Sequence, residues 1–339
     1  MSLNIVYDDL FLEHSQGPFH PESPDRLRAI KSALEETSLW KKPLDIAPFP
    51  PELLEKIHSK DYIKKLEDEP PGPLDPDTAW HEKTFGIAMK ALSGAYTGAK
   101  TTFETGNPSL CLLRPPGHHS GPDYFGGFCY FNNAALAAET ARTMGAERVA
   151  IVDIDVHHGN GTRDIMASRK DVLYISTHQW GIFPGTGPPK DVGEGEGKGY
   201  TANLALPSGS GDRTYEMAFE DVAMPLLDEF KPEMLVVSIG MDAHYMDPLA
   251  TLSLSSPGYM SLCKQLSEKA KQYCSGKIVY VLEGGYNLKA LGDVAVGLAT
   301  LLDRGETSET EFDLVRDHEG EGRGWVDTTK DVLKEYWTL

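Results

Sequence analysis

The sequence predicts an α/β fold built on an open, mainly parallel sheet with helices on both faces. Three observations carry that expectation. Short, continuous apolar runs recur along the chain, as expected of strands buried on both sides. Stretches with apolar residues at helical spacing separate them. Polar residues of unusual chemistry follow directly after the runs, at the carboxyl ends of strands, where open parallel sheets bind their ligands.

The apolar runs predict strands at residues 5–7, 109–113, 149–154, 172–176, 234–239 and 277–282. An early helix has Ser23 as its cap and Pro24 at its first position, with Leu27, Ile30 and Leu34 on one face. Residues 132–144 form an Ala-rich helix, and 214–230, 257–273 and 287–302 show helical periodicity. The four prolines of residues 67–77 mark a surface loop. Residues 305–324 are charged and poor in apolar side chains, and a short closing helix follows at 331–337. With no internal repeat and no Ser/Gly linker, residues 1–339 read as one domain, 305–339 being its C-terminal tail and closing helix.

Hydrophobic residues make up 40% of the 339 and charged residues 24%, the balance of an ordinary globular protein. No apolar run approaches the length of about 18 residues that a membrane span needs. The first eleven residues lack a basic segment followed by an apolar one, so they read as a strand and not as a leader. Cys111, Cys129, Cys263 and Cys274 are widely spaced with no C-x-x-C, which argues against a cysteine metal site and against disulfides. Buried thiols suit a reducing compartment, the cytoplasm. The net charge of −19 disfavours nucleic acid and favours cationic ligands, although solubility alone explains many acidic surfaces.

The segments CLLRPPGHH, VAIVDIDVHHGNG, VVSIGMDAH and IVYVLEGGYN bring their polar residues to one rim of the sheet. Asp153, Asp155 and His157 are two apart, so an extended backbone points all three to one side. Carboxylates gathered in a buried place require a cation. Asp242 adds another from a separate strand. Asp155, His157 and Asp242 therefore form a candidate catalytic metal site with three protein ligands and an open position. His118 and His119 are left as acid/base groups beside it. Tyr286, after two glycines, can donate to a developing oxyanion. The run GEGEGKG at 193–199 matches no phosphate-binding pattern and reads as a flexible loop, and no G-x-S-x-G exists. His14, His20, His58, His81 and His178 have no partners at ligand spacing and are taken as structural or surface residues.

At this point the motifs RPPGHH, GFCYFNN, DIDVHHGNGT, STHQWGIFPGTG, GMDAHYMDPL and LEGGYN resemble those of the histone deacetylase family of amidohydrolases, in its class II-like form. They run in order from HPESPDRL to about Leu302. The family includes bacterial and archaeal deacetylases and acetylpolyamine amidohydrolases. The resemblance implies an arginase–deacetylase fold and one zinc ion on Asp155, His157 and Asp242. It makes His119 the general base and His118 its partner, with Asp153 paired to His118, Asn160 beside His119, and Tyr286 the catalytic tyrosine. It implies a potassium or sodium ion near Asp153, Asp155, His157, Ser176 and Thr177. It lines a narrow acyl-lysine tunnel with Gly127, Phe128, Phe183 and Leu249, and sets Arg26 and Arg114 near its inner end. The implied substrate is an acetylated lysine on a protein or peptide, or an acetylated polyamine. Rim loops around 67–80 and 179–187 would choose between them. A binuclear manganese ureohydrolase and an inactive acyl-lysine reader are the rival readings. The first needs an Asp at a bridging spacing that the sequence does not supply, and the second predicts lost ligands or a replaced tyrosine. Oligomeric state is left open.

Overall fold

The computed structural model describes residues 2–307, 310–312 and 317–339. Its strands are β1 (Asn4–Val6), β2 (Gly72–Pro73), β3 (Ala79–Trp80), β4 (Ser109–Cys111), β5 (Val149–Asp153), β6 (Val172–Gln179), β7 (Thr201–Leu206), β8 (Met234–Ile239) and β9 (Ile278–Leu282). Its helices are α1 (Asp25–Glu36), α2 (Pro51–Leu54), α3 (Lys60–Glu67), α4 (Thr84–Thr105), α5 (Asn133–Thr143), α6 (Asn160–Met166), α7 (Asp212–Ala218), α8 (Met224–Phe230), α9 (Ser256–Tyr273), α10 (Leu288–Arg304) and α11 (Glu319–Leu333).

Seven strands form one sheet in the order β1-β4-β9-β8-β5-β6-β7, and every neighbouring pair is parallel. All residues of β5, β6, β8 and β9 are buried, which is why β5, β8, β9 and the first half of β6 are largely apolar without alternation; β6 ends in the buried polar run Ser176, Thr177, His178 and Gln179. Helices α4 and α5 pack together over β1, β4, β9, β5 and β8. A second layer runs through α1, α10, α9, α7 and α11. Among the described residues no helix is long and apolar enough to cross a membrane. All four cysteines are free and buried.

The departures from the sequence reading have physical causes. Helix α4, 22 residues long, was not anticipated, because apart from Ile87 and Leu92 its buried residues are Ala, Gly, Ser and Thr. A methyl group at Gly94 would lie 2.6 Å from the Leu113 side chain, and one at Gly98 would collide with Cys111 Sγ. The helix lies so close to the sheet that small residues replace the usual apolar stripe. Strand β7 was also missed. Its Thr201 and Asn203 break the apolar pattern, yet both are buried, and Asn203 Nδ2 donates to the Asp191 carbonyl at 2.9 Å.

The closing helix begins at Glu319 and not at residue 331, despite three glycines in its first six residues. Gly322, Val326, Thr329 and Leu333 form one buried stripe against β7 and α7, and a larger residue at position 322 would meet Thr214 at 2.5 Å. Packing overrides the poor intrinsic propensity of glycine. The Pro-rich loop contains the small antiparallel pair β2–β3. The glycine loop at 193–199 is packed, with Gly197 buried beside the Ala167 carbonyl. Pro24 has helical dihedrals just ahead of α1, but the Ser23 side chain makes no cap. The helix predicted at 214–230 is α7 and α8 joined by a π-helical turn at Phe219–Ala223.

Candidate active site

The site lies at the carboxyl ends of β4, β5, β8 and β9. Strands β5 and β8 are neighbours in parallel register, Asp153 opposite Ser238, so the loops that follow them leave the sheet side by side. Asp155 and His157 come from the first loop and Asp242 from the second. One ligand atom from each of the three lies within 4.8 Å of the others.

Backbone amides hold the carboxylates. Asp155 Oδ1 accepts from the His157 amide at 2.9 Å and Asp155 Oδ2 from the Gly284 amide at 2.8 Å. Asp242 Oδ1 accepts from the Val156 amide at 2.9 Å. Gly284 has to be a glycine, because a methyl group there would collide with Asp242 Oδ2 and lie 2.6 Å from Asp155 Oδ2. Asp242 Oδ2 is buried without a hydrogen-bond partner, although His157 Nδ1 is 3.2 Å away. Burial opposes charge on His157, yet the Asp155 and Asp242 carboxylates push its pKa up to about 10. Two buried carboxylates, one imidazole and an orphaned acceptor are what a divalent cation with an open coordination position requires.

Both histidines of the GHH loop stand beside this group. His118 Nδ1 is 3.1 Å from Asp153 Oδ2, and its Nε2 is 3.7 Å from Asp155 Oδ1. Burial works against a charge on His118, but Asp155 and Asp153 hold its pKa well above the usual value. His119 Nδ1 is 2.8 Å from Asn160 Oδ1, an uncharged partner. Burial, then the nearby His118 and His157, push the His119 pKa well below the usual value, so this imidazole is neutral. Two adjacent histidines thus carry different charge because one faces carboxylates and the other an amide.

The approach is a cavity of about 400 Å³. Phe128 and Leu249 line it, with Phe183 packed edge-on to the His119 ring at 4.9 Å between centroids. Phe128 has its own edge-on contacts, 4.6 Å to His20 and 6.1 Å to Tyr286. Gly127 lies against the His119 ring. The Tyr286 amide donates to Asp247 Oδ2 at 2.6 Å, and the Arg26 guanidinium sits 5.1 Å from the Tyr286 ring centroid. Arg26 and Arg114 are wholly buried and share Glu22 as counter-ion.

Compared with known proteins, residues 20–302 match the family model described as "Histone deacetylase domain". The chain belongs to the histone deacetylase family. A probable deacetylase of Archaeoglobus fulgidus is 38% identical over 297 residues, covering 85% of this chain and 82% of that protein. The Arabidopsis thaliana protein "Histone deacetylase 14, chloroplastic" is 39% identical, covering 87% of this chain and 75% of its own length. A histone deacetylase-like amidohydrolase of Pseudomonas aeruginosa is 36% identical, covering 84% and 81%. Among solved structures, the crystal structure of the HDA15 HD domain matches with a TM-score of 0.91 at 32% identity, covering 99% of this chain and 95% of that one. The sheet and its helical layers are therefore the arginase–deacetylase fold.

In this deacetylase-family chain, the residues picked from sequence do converge: Asp155, His157, Asp242, His118, His119, Asn160 and Tyr286 lie around one cavity or directly behind it. Asp153 and Ser176 face each other across β5 and β6, and Thr177 Oγ1 donates to the Asp153 carbonyl at 3.4 Å. Ser176 Oγ is shared with His178 Nδ1 at 2.9 Å. His20, taken from sequence as structural or surface, lines the mouth of the cavity with Asp77. His244 turns away toward Ser256. Two carboxylates were overlooked. Glu283 Oε2 accepts from the amides of Gly117 at 2.7 Å and His118 at 3.1 Å, and so holds the GHH loop. Burial raises its pKa to about 7. Asp247 anchors the Tyr286 turn in the same way. Both stand inside motifs already quoted, EGGY and MDPL, where a buried carboxylate beside glycine-rich backbone is the available signal.

Proposed function

We propose that this family member is a zinc-dependent deacetylase that hydrolyses the acetyl amide of a lysine side chain on a protein or peptide. One observation carries the reading: Asp155, His157 and Asp242 converge at the floor of an aromatic-walled cavity, with a neutral imidazole and a phenol beside them. A zinc ion held by those three side chains would polarise the acyl carbonyl and lower the pKa of adjacent water. The remaining steps belong to the chain. Phe128 and Phe183 bracket the aliphatic stem and exclude solvent from it. His119, neutral and oriented by Asn160, accepts the proton of the attacking water through Nε2. The Tyr286 hydroxyl donates to the oxygen on which negative charge develops. His119 then passes that proton to the amide nitrogen as the C–N bond breaks, and His118, paired with Asp153 at 3.1 Å, stands beside it. The products are acetate and a free amine.

A monovalent cation, potassium or sodium, is proposed close to Asp153, Ser176 and the carbonyls of Asp155, His157 and Thr177, where buried negative charge is in excess. We read residues 1–339 as one catalytic domain, since β1 and α11 both pack on the same sheet system. Four free cysteines support a reducing compartment such as the cytoplasm. The Asp77 carboxylate at the cavity mouth favours a second substrate, an acetylated polyamine. Side-by-side kinetics on an acetyl-lysine peptide and acetylated polyamines, with one zinc per chain, tests the choice. A higher kcat/KM on the peptide is expected, a higher one on the polyamine reverses the preference, and two manganese ions per chain would remove the zinc reading. Tyr286→Phe is expected to lower kcat by about 10²–10³-fold, and wild-type turnover would refute the role of that hydroxyl.

A further inference from the structure

A chain of hydrogen bonds leads from His119 to the protein surface. Asn160 Oδ1 lies 2.8 Å from His119 Nδ1, and Asn160 Nδ2 donates to the Tyr124 hydroxyl at 3.1 Å. The Tyr124 hydroxyl in turn donates to Asp164 Oδ2 at 2.6 Å. Asn160 and Asp164 are four apart on α6, so both face Tyr124 from one side of the helix. Arg163 Nη1 occupies the other oxygen of Asp164 at 3.1 Å. Tyr124 closes a tight turn whose Gly121 amide donates to the Tyr124 carbonyl at 2.9 Å, and its ring covers Gly121 so closely that no side chain fits there.

We propose that Tyr124 and Asp164 are positioning residues that set the tautomer of His119 by fixing which way round the Asn160 amide sits. The claim rests on the reading of His119 as general base. An Asn side chain can present either its oxygen or its nitrogen to a neighbour, and the two ends have nearly the same shape. A tyrosine hydroxyl does not choose between them, because it both donates and accepts. A carboxylate does choose, because it only accepts. Asp164 takes the Tyr124 proton, so Tyr124 is left to accept from Asn160, which must offer its NH2. The Asn160 oxygen then faces His119 and accepts from Nδ1–H. That leaves Nε2 of a neutral imidazole unprotonated on the cavity side, the form a base needs. Burial and Asp164 raise the Tyr124 pKa well above the usual value, which keeps the donor in place. Without the terminal acceptor both amide orientations are permitted, and one of them puts the proton on Nε2.

The test uses zinc-loaded protein, an acetyl-lysine peptide, and the variants Tyr124→Phe, Asp164→Asn, Asn160→Asp, His119→Ala and the double variant Tyr124→Phe/Asn160→Asp. Tyr124→Phe is expected to lower kcat about tenfold with KM within twofold. Asp164→Asn, a substitution at the surface that leaves the interior intact, lowers it in the same direction. In the Asn160→Asp background the Tyr124→Phe change should cost less than twofold, since a carboxylate has no wrong way round. An equal cost in both backgrounds, or no cost in either, overturns the proposal. Nitrogen-15 spectra of histidine-labelled protein give a second readout: His119 should change from a single Nδ1–H form to a mixture in Tyr124→Phe and return in the double variant. If His119→Ala keeps full activity, the base assignment fails, and the nitrogen-15 spectra still decide the tautomer claim.

Discussion

The floor of the cavity and its rim are built by different means. At the floor, carboxylates are held by backbone: Asp155 by the amides of His157 and Gly284, Asp242 by that of Val156, and Glu283 by those of Gly117 and His118. At the rim, Phe183 is 50% exposed and Leu249 39% exposed. A floor group cannot move without breaking the loop that makes it, whereas a rim side chain can be exchanged with little effect on the fold. Chemistry is therefore tied to the architecture, and substrate choice is left to residues that are free to vary.

Substitutions can break or sharpen this contrast. The largest effect is expected for Asp242→Ala, which should abolish uptake of the proposed zinc ion, measured as metal per chain, and with it detectable deacetylation. Gly284→Ala should come close to it, because the new methyl group collides with the Asp242 carboxylate. Retained zinc in that variant would mean the floor is softer than its hydrogen bonds imply. Glu283→Ala strands two buried amides, each costing roughly 1–3 kcal/mol of folding stability. It should also lower kcat about tenfold or more by releasing the GHH loop, checked by chemical denaturation and kinetics together. Phe183→Ala at the rim is expected to raise KM several-fold with kcat nearly unchanged. A kcat loss as large as that of Glu283→Ala would erase the distinction between the two regions.

The smallest effect on activity concerns pH. His58 Nδ1 is 2.8 Å from the Gly121 carbonyl, and its Nε2 accepts from the Asn132 amide at 3.0 Å, so the ring must be neutral in the folded protein. Burial lowers its pKa from 6.5 to about 4. Between those values the unfolded chain binds the proton and the folded one does not. The contribution is complete above pH 6.5 and is lost as the pH falls toward 4, by about 3 kcal/mol. His14, His178 and His244 act in the same direction. Glu283 and Asp247, both raised to about 7 by burial, act in the opposite direction, so the histidine share is read as a difference: His58→Gln should gain less melting temperature than the wild type between pH 4 and 6.5, while turnover at neutral pH stays close to normal.

Much of this was legible in the sequence. The buried strands β5, β8 and β9 announce themselves as unbroken apolar runs, since a strand covered on both faces has no polar side. The residues of the candidate metal site stood out for the opposite reason: Asp155, His157 and Asp242, with Asp153 beside them, are costly to bury, and the structure does bring the first three together. What the tertiary structure alone decided are matters of close approach and shared partners. Helix α4 is hard to see as an amphipathic pattern because small residues, Gly94 and Gly98 among them, make up most of its buried face. Helix α11 forms on a stripe through Gly322 and Val326 that gains its meaning from β7 and Thr214. Glu283, Asp247 and the Tyr124–Asp164 pair are ordinary polar residues in the sequence. Their roles come from amides and hydroxyls far away in the chain, because a hydrogen bond depends on two groups meeting at about 3 Å, and sequence spacing specifies such a meeting only within a helix, a strand or a turn.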